Sequence, residues 1–286
     1  MTLSNYPPRQ VFIIGAARSG TKFLRECLSA SKDIYTIPYD ISFIWRFGSE
    51  NCQHDELLPS MLTQSKILKI KSFINYFLKY ADNSTFFLDK TVSNTLRVSY
   101  LNVIYPDALF IHLTRDGRAV VESSIRQWNS SISISYILYK LKYFPLSNYK
   151  YALWFASNFL RSLFSDTPRL WGPRYNGIDT DIHKLSIEDV CSKQWSRCVD
   201  IADKQLSLID SNRVTHLKFE DLVDDSKFLY DICSFIGISD SDAVVKKYDA
   251  IVRKDNNIKS FRALSTQTLV SISKYAEKSL IRLGYL

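Results

Sequence analysis

Short apolar runs alternate with amphipathic segments along the first half of the chain. Val11–Ile14 is a continuous apolar run that ends at Gly15, which predicts a buried strand entering a turn. From Thr21, apolar residues recur at helical spacing on one face. The same patterns predict strands at 11–14, 34–37, 86–88, 109–113 and 213–219, and helices from 21, at 62–80, 96–104, 118–128, 186–209 and 221–235, with a last helix ending at 284.

The order of these elements predicts an α/β fold. Strands and helices alternate at intervals that suit right-handed crossovers, the pattern of a central parallel sheet flanked by helices. A chain of 286 residues is long enough for one such domain, residues 1–286. Residues 130–185 break the alternation with Ser-rich and Tyr-rich segments and a loop containing Pro and Gly, and we expect an insertion there. Parallel sheets bind ligands at the carboxyl ends of their strands, so motifs that follow strands are the candidates for function.

Composition and charge narrow the classes of partner. The 37 basic and 29 acidic residues give a net charge of +8, which attracts anions. The basic residues are scattered, without a run of five or six, so we expect no nucleic-acid partner. The five cysteines include no CxxC pair, which indicates free thiols and a cytoplasmic location. We find neither a signal-peptide core nor an apolar stretch of membrane-spanning length.

The first candidate motif lies between the first predicted strand and helix. It runs from Gly15 to Lys22 with the sequence GAARSGTK. Free backbone N–H groups at such a turn, and the positive end of the following helix, favour a phosphate. The motif resembles the Walker A loop GxxxxGK[ST], but Thr21 and Lys22 stand in swapped order, which displaces the phosphate lysine and the magnesium-binding hydroxyl. The candidate phosphate ligands are Arg18, Ser19, Gly20, Thr21 and Lys22.

The second candidate motif, TRDGRAVVES, follows the strand predicted at 109–113. Arg115 lies at the strand end and Ser123 lies eight residues on, about two turns into the next helix. A guanidinium and a hydroxyl placed in this way can converge on one phosphate at the sheet edge.

The two motifs together resemble the PAPS-dependent sulfotransferase family (PAPS is 3′-phosphoadenosine-5′-phosphosulfate), closest to its carbohydrate, bacterial-type members. The resemblance implies a P-loop-like nucleotide-binding fold in which Arg18 to Lys22 hold the 5′-phosphosulfate and Arg115 and Ser123 hold the 3′-phosphate. The segment LKFEDL at 217–222 and the ending RLGY at 282–285 are also similar to the family. Lys259 and Arg262 resemble its C-terminal loop over the nucleotide.

Sulfuryl transfer needs charge stabilisation and a base for the attacking hydroxyl. Lys90 follows the strand predicted at 86–88 and resembles the [DE]KT lysine of carbohydrate sulfotransferases; the alternative is a surface pair with Asp89. Phenol and steroid sulfotransferases carry a His where this chain has Val92, so the resemblance instead gives the base to Asp40, whose alternative role is a helix N-cap. The four histidines fit no metal set, with His112 and His216 expected inside strands, and we expect no metal cofactor.

The acceptor side is expected to be a carbohydrate or glycolipid subsite. The Pro/Gly loop WGPRYNG at 171–177 carries Arg174, while Trp128 and Asn94 can stack on or hydrogen-bond a sugar. The aromatic and lysine-rich segment 136–160 suits either peripheral membrane contact or an amphipathic helix packed on the domain.

Two other functions remain open at this point. One is a Walker-type kinase or NTPase, with Asp89 as the magnesium ligand after its apolar strand. The other is a nucleotide-binding scaffold without catalysis.

Overall fold

The computed structural model describes residues 7–81, 84–128, 170–252 and 264–286. All five predicted strands are present. They are β1 (Arg9–Ile14), β2 (Ile34–Thr36), β3 (Phe86–Asp89), β4 (Leu109–Thr114) and β5 (Val214–Lys218). They form one five-stranded sheet in the order β2-β3-β1-β4-β5, and every pairing is parallel, as predicted.

Helices flank the sheet close to the predicted positions. In chain order they are α1 (Thr21–Leu28), α2 (Ser42–Trp45), α3 (Gln64–Leu78), α4 (Val98–Ile104), α5 (Gly117–Trp128), α6 (Ile178–Lys184), α7 (Ile187–Leu206), α8 (Phe219–Asp224), α9 (Lys227–Ile236), α10 (Ser241–Ile251) and α11 (Thr266–Arg282). Short 3₁₀ turns lie at Pro59–Met61, Val92–Leu96 and Ser211–Arg213.

The helix predicted at 221–235 is instead two helices, α8 and α9. The break falls at Asp225, whose carboxylate accepts a hydrogen bond from the backbone N–H of Lys227 at 2.8 Å. An Asp side chain that bonds the nearby backbone competes with helical hydrogen bonding, which ends the first helix here.

Both faces of the sheet are buried, as a parallel sheet covered by helices requires. Alternate residues of β1 separate to the two sides: Phe12 and Ile14 pack in one core cluster, while Val11 and Ile13 pack in another. All residues of β4 are buried. The rigid layer that results fixes the loops after β1, β3 and β4 along the carboxyl edge, where the candidate motifs lie.

Three predicted features fall on residues that the structure does not describe. Residues 129–169 include most of the predicted insertion and the segment 136–160, and residues 253–263 include Lys259 and Arg262. Within the described ranges, each helix is too short or too polar to cross a bilayer.

Candidate active site

At Gly20, the first loop has a backbone conformation that favours glycine. Gly20, the N-cap of α1, has φ 87°, in the left-handed region. A Cβ added there would lie 2.1 Å from the ring of Phe219, so a side chain has no room. The ring and the turn together fix the loop at the N-terminus of α1, where backbone N–H groups are free to bind an anion.

Arg18, Arg115 and Ser123 meet beside this loop. The Nε of Arg18 donates a hydrogen bond to Oγ of Ser123 at 2.9 Å. A terminal nitrogen of Arg115 donates to the carbonyl oxygen of Arg18 at 3.0 Å. The Arg115 guanidinium also lies over the Phe219 ring, 4.6 Å from its centre. The structure therefore brings the two predicted motifs, 97 residues apart in sequence, into one cluster.

The cluster carries positive charge that no salt bridge within the described residues neutralises. Burial lowers the pKa of Arg18, and the nearby charge of Arg126 lowers it further. Burial also lowers the pKa of Arg115; Glu220 acts against this and Arg18 adds to it. Within the described part of the chain, neither arginine forms a salt bridge. Two partly desolvated guanidinium groups without a paired carboxylate make a site for an anion.

The remaining residues of the first loop are placed differently from one another. Ser19 and Thr21 are buried, and Oγ of Ser19 has no hydrogen-bond partner among the described residues. Lys22 is not brought into the cluster. Its side chain is 73% exposed, and its ammonium lies 3.5 Å from the carboxylate of Glu26 on the surface of α1.

Asp40 and Lys90, the two predicted catalytic residues, are in direct contact. The Lys90 ammonium donates a hydrogen bond to Oδ1 of Asp40, and the backbone N–H of Val92 lies 3.3 Å from its Oδ2. Only 11% of the Lys90 side chain and 21% of the Asp40 side chain are exposed. The alternative of Asp40 as a helix cap is wrong for α2, whose N-cap is Ile41 without a side-chain cap.

Asp89 anchors the loop that carries this pair. It is buried and accepts hydrogen bonds from Thr91, Trp45 and Asn94, each at 2.8 Å. The Thr91 hydroxyl in turn accepts the backbone N–H of Ile41 at 3.0 Å, which connects Asp89 to the Asp40 loop. Burial raises the pKa of Asp89 to about 6, against the effect of its hydrogen bonds.

The position of Asp89 settles two of the sequence-based alternatives. Lys90 pairs with Asp40 and not with Asp89. Because Asp89 is 3% exposed and both its oxygens accept protein donors, it is not open to a magnesium ion. The positioning role of Asp89 was not predicted from sequence, although an acidic residue ending a buried strand is the signal for a buried hydrogen-bonded carboxylate.

Asn94 does not face the cleft, and the prediction that it contacts an acceptor is not supported by its position. It is fully buried; its amide nitrogen donates to Asp89 and its oxygen accepts from Arg97 at 3.0 Å. An amide engaged at both ends in the core holds Asp89 in place.

Trp128 and Arg174, the other two predicted acceptor contacts, lie at the end of α5 and just before α6. Trp128 ends α5 and is partly buried, and its indole nitrogen is buried without a partner among the described residues. Arg174 donates to the carboxylate of Asp179 at 2.7 Å, while its backbone N–H donates to Asp55 at 2.9 Å. The loop that carries Arg174 is thus tied down on both sides.

Glu220 and Tyr285 brace the second motif, a role that the sequence analysis did not assign. Glu220 accepts the backbone N–H of Asp116 at 3.0 Å and the hydroxyl of Tyr285 at 3.1 Å. These bonds join the loop after β4 to the start of α8 and to the C-terminal residues. The segments LKFEDL and RLGY, noted from sequence, contain these two residues.

Comparison with known proteins gives one family match and one curated relative. A family described as "Sulfotransferase family" matches residues 8–156. The protein-tyrosine sulfotransferase 1 of Danio rerio is 32% identical over 130 residues, which are 40% of this chain and 35% of that protein. The chain thus spans about a third of the length of this relative.

Solved structures share the fold at low sequence identity. The sulfotransferase domain of the Synechococcus PCC 7002 olefin synthase has a TM-score of 0.56 at 16% identity, covering 97% of each chain. The sulfotransferase domain from the curacin biosynthetic pathway has 0.53 at 14%, covering 93% of this chain and 97% of that one. A sulfotransferase from Alicyclobacillus acidocaldarius has 0.50 at 16%, covering 97% and 94%. These likenesses confirm the fold.

Proposed function

Because the chain belongs to the sulfotransferase family, we propose that it transfers a sulfuryl group from PAPS to a hydroxyl of a carbohydrate or glycolipid. The observation that carries the proposal is the cluster of Arg18, Arg115 and Ser123 beside the first loop. We also keep the cytoplasmic location predicted from the cysteines as part of the proposal.

The donor has phosphates at two ends, and the site offers a cationic group toward each. The first loop, with Arg18, Ser19, Gly20 and Thr21, would take the 5′-phosphosulfate at the N-terminus of α1. Arg115 and Ser123 would take the 3′-phosphate. Lys22, on the α1 surface, would add long-range attraction. Lys259 and Arg262 lie outside the described residues, and we retain the proposal that they cover the nucleotide.

The proposed transfer step uses Asp40 and Lys90, whose side chains are in contact. The acceptor hydroxyl oxygen forms a bond to sulfur while the bond from sulfur to the phosphate oxygen breaks. Asp40 accepts the hydroxyl proton, and Lys90 stabilises negative charge on the sulfuryl and leaving-group oxygens. The products are a sulfate ester and adenosine 3′,5′-bisphosphate. Before the donor arrives, each group neutralises the other.

The proposed acceptor class is based on the predicted carboxylate base, Asp40, and on the aromatic side chain of Trp128. Asp40 holds the position that carbohydrate sulfotransferases give to a carboxylate, and Trp128 offers a partly exposed ring surface that can stack on a sugar. Arg174, paired with Asp179, would position the loop at this side. A tyrosine side chain is the second candidate acceptor, favoured by the match to a protein-tyrosine sulfotransferase.

A kinase or NTPase is disfavoured by two observations. The order of Thr21 and Lys22 departs from the Walker A loop, and the Lys22 side chain is directed to the helix surface. Asp89, the predicted magnesium ligand, is enclosed by three hydrogen-bond donors.

Calorimetry tests the donor. We expect adenosine 3′,5′-bisphosphate to bind the full chain in EDTA, and ATP with magnesium to bind far more weakly. The Arg115→Ala variant should lose most of the bisphosphate affinity. Magnesium-dependent ATP binding, with no bisphosphate binding in EDTA, would support the kinase and overturn the proposal.

Transfer of radiolabelled sulfate from PAPS tests the acceptor. The panel contains oligosaccharides, glycolipids in detergent and tyrosine peptides. We expect counts in sugar products that Asp40→Asn abolishes. Labelled peptides alone would replace the carbohydrate assignment with tyrosine. Bisphosphate binding without transfer to any acceptor would favour the scaffold.

A further inference from the structure

Three potential metal ligands meet on the sheet away from the Asp40–Lys90 pair. His112 on β4 and His216 on β5 are partners in the strand register, and their Nδ1 atoms lie 3.2 Å apart. Asp203 on α7 covers them, with Oδ1 at 3.2 Å from Nδ1 of His112. The ligand atoms of all three residues lie within 4.8 Å of one another.

Hydrogen bonds alone do not satisfy these three side chains, because they have too few protons to place one between each pair of facing atoms. Nδ1 of a neutral imidazole carries either one proton or one lone pair, and a carboxylate oxygen carries lone pairs only. If His112 Nδ1 carries a proton, Asp203 and His216 must share it. If it accepts a proton from His216, it faces the Asp203 oxygen with lone pair against lone pair. Convergent lone pairs at this spacing favour a cation.

We propose that His112, His216 and Asp203 bind a divalent transition-metal ion, with zinc the best fit. Two imidazoles and one carboxylate are ligands that zinc uses. Atoms about 2.1 Å from a tetrahedral ion lie about 3.4 Å from each other, close to the two 3.2 Å distances from Nδ1 of His112 to His216 and to Asp203. A small approach of His216 toward Asp203 would complete the three-ligand set.

The surroundings suit such an ion. The other oxygen of Asp203 forms a salt bridge with Arg282, whose second amino group donates a hydrogen bond to Asp200 at 2.6 Å. Asp200 thus offsets the Arg282 charge, while Arg282 orients the Asp203 carboxylate. His216 is exposed, which gives an ion a path from solvent and leaves a fourth position for water.

The site would join three elements that support the donor cluster, which is the group of Arg18, Arg115 and Ser123 proposed to bind the sulfuryl donor. β5 is one of the two edge strands of the sheet, and an ion here would fasten it to β4 and to α7. β4 leads directly to Arg115, and β5 leads to Phe219, on which Arg115 lies. We therefore expect the metal to act on stability rather than in the transfer step.

Metal titration of the full chain tests the site without any activity assay. The protein is stripped with EDTA, desalted and titrated with Co²⁺, then with Zn²⁺ as competitor. We expect one Co²⁺ per chain with the intense visible absorption of a four-coordinate ion, displaced by Zn²⁺, and a rise in Tm with Zn²⁺.

Matched variants locate the site. His216→Gln removes an exposed ligand and Asp203→Asn removes the carboxylate, and each should weaken Zn²⁺ binding at least about tenfold and remove the Tm rise. His183→Gln, a histidine outside the group, should bind as the parent does. The proposal is overturned if the folded parent binds no Co²⁺, if its spectrum is that of an octahedral ion, or if His216→Gln binds Zn²⁺ as tightly as the parent.

Discussion

The carboxyl edge of the sheet carries two groups of charged residues that differ in how their charge is balanced. After β1 and β4, Arg18 and Arg115 contact a hydroxyl, a carbonyl and a ring, and the described residues offer them no salt bridge. After β2 and β3, Lys90 and Asp40 are paired. The first group needs an anion from outside, whereas the second is neutral until a ligand separates it. Under the proposed function, binding and chemistry are divided between the two halves of one edge.

The largest effect is expected from breaking the pair. Asp40→Asn should lower kcat for sulfate transfer by about 10²- to 10⁴-fold because the proton acceptor is lost. Lys90→Ala should lower it by about 10²- to 10³-fold because charge in the transition state loses a partner. The double variant should lose less than the product of the two.

Steady-state kinetics with saturating PAPS measure these effects. Asp210→Asn, at an 81% exposed carboxylate paired with Arg213, is the matched control and should keep the parent kcat. Parent-like kcat in both Asp40→Asn and Lys90→Ala would remove the pair from the mechanism.

Asp89, next to the Asp40–Lys90 pair, makes the stability of the protein depend on pH. Its pKa rises from 3.8 unfolded to about 6 folded, so the folded state holds the proton more tightly. The resulting stability is fully present below about pH 4 and is lost as pH rises through about 6, a change of about 3 kcal/mol in the free energy of unfolding. Urea unfolding of parent and Asp89→Asn at pH 4.5 and 7.5 measures it. The parent should lose more stability than the variant over that interval; equal losses would contradict a raised pKa at Asp89.

A smaller effect is expected from changing Arg115, which has no salt-bridge partner among the described residues. Arg115→Ala should weaken adenosine 3′,5′-bisphosphate binding by about 10- to 150-fold, the equivalent of a charged hydrogen bond worth about 1.5 to 3 kcal/mol. Arg126→Ala removes a neighbouring cation that is 65% exposed and paired with Glu122, and it should cost about threefold or less. Calorimetry of both separates a specific contact from net charge. Equal losses in both variants would reduce the cluster to general electrostatic attraction.

The smallest effects compare two residues of the predicted motifs. Ser123→Ala removes the hydroxyl that Arg18 contacts and should weaken bisphosphate binding by about two- to tenfold. Lys22→Ala removes an exposed ammonium and should cost about twofold at most, decreasing with salt. Titrations at low and high salt distinguish the two. A larger loss for Lys22→Ala than for Ser123→Ala would move Lys22 into direct contact with the donor.

The fold could be predicted largely because buried parallel strands are short apolar runs. The motifs after β1 and β4 were found for a related reason: glycines, hydroxyls and cations directly follow such runs. The break between α8 and α9 was missed because it depends on one side-chain bond of Asp225, which hydrophobic periodicity does not record.

The contacts across the sheet could not be predicted from local sequence. Asp40 and Lys90 are 50 residues apart and meet because β2 and β3 are neighbours. His112 and His216, 104 positions apart in sequence, are likewise partners in the strand register. Asn94 appeared suited to a sugar because an amide is polar, but it is buried beside Asp89. Such outcomes depend on strand order, which local patterns leave undetermined.

The ring of Phe219 touches both halves of the donor cluster, since it lies against Gly20 and beneath Arg115. The separation between the first loop and Arg115 is therefore a fixed dimension of the protein rather than the sum of two independent side-chain positions. Under the proposed function, nucleotides are selected by the distance between their phosphates. An adenosine with a single phosphate, or with two phosphates in a chain on one ribose oxygen, would contact only one of the two phosphate-binding positions.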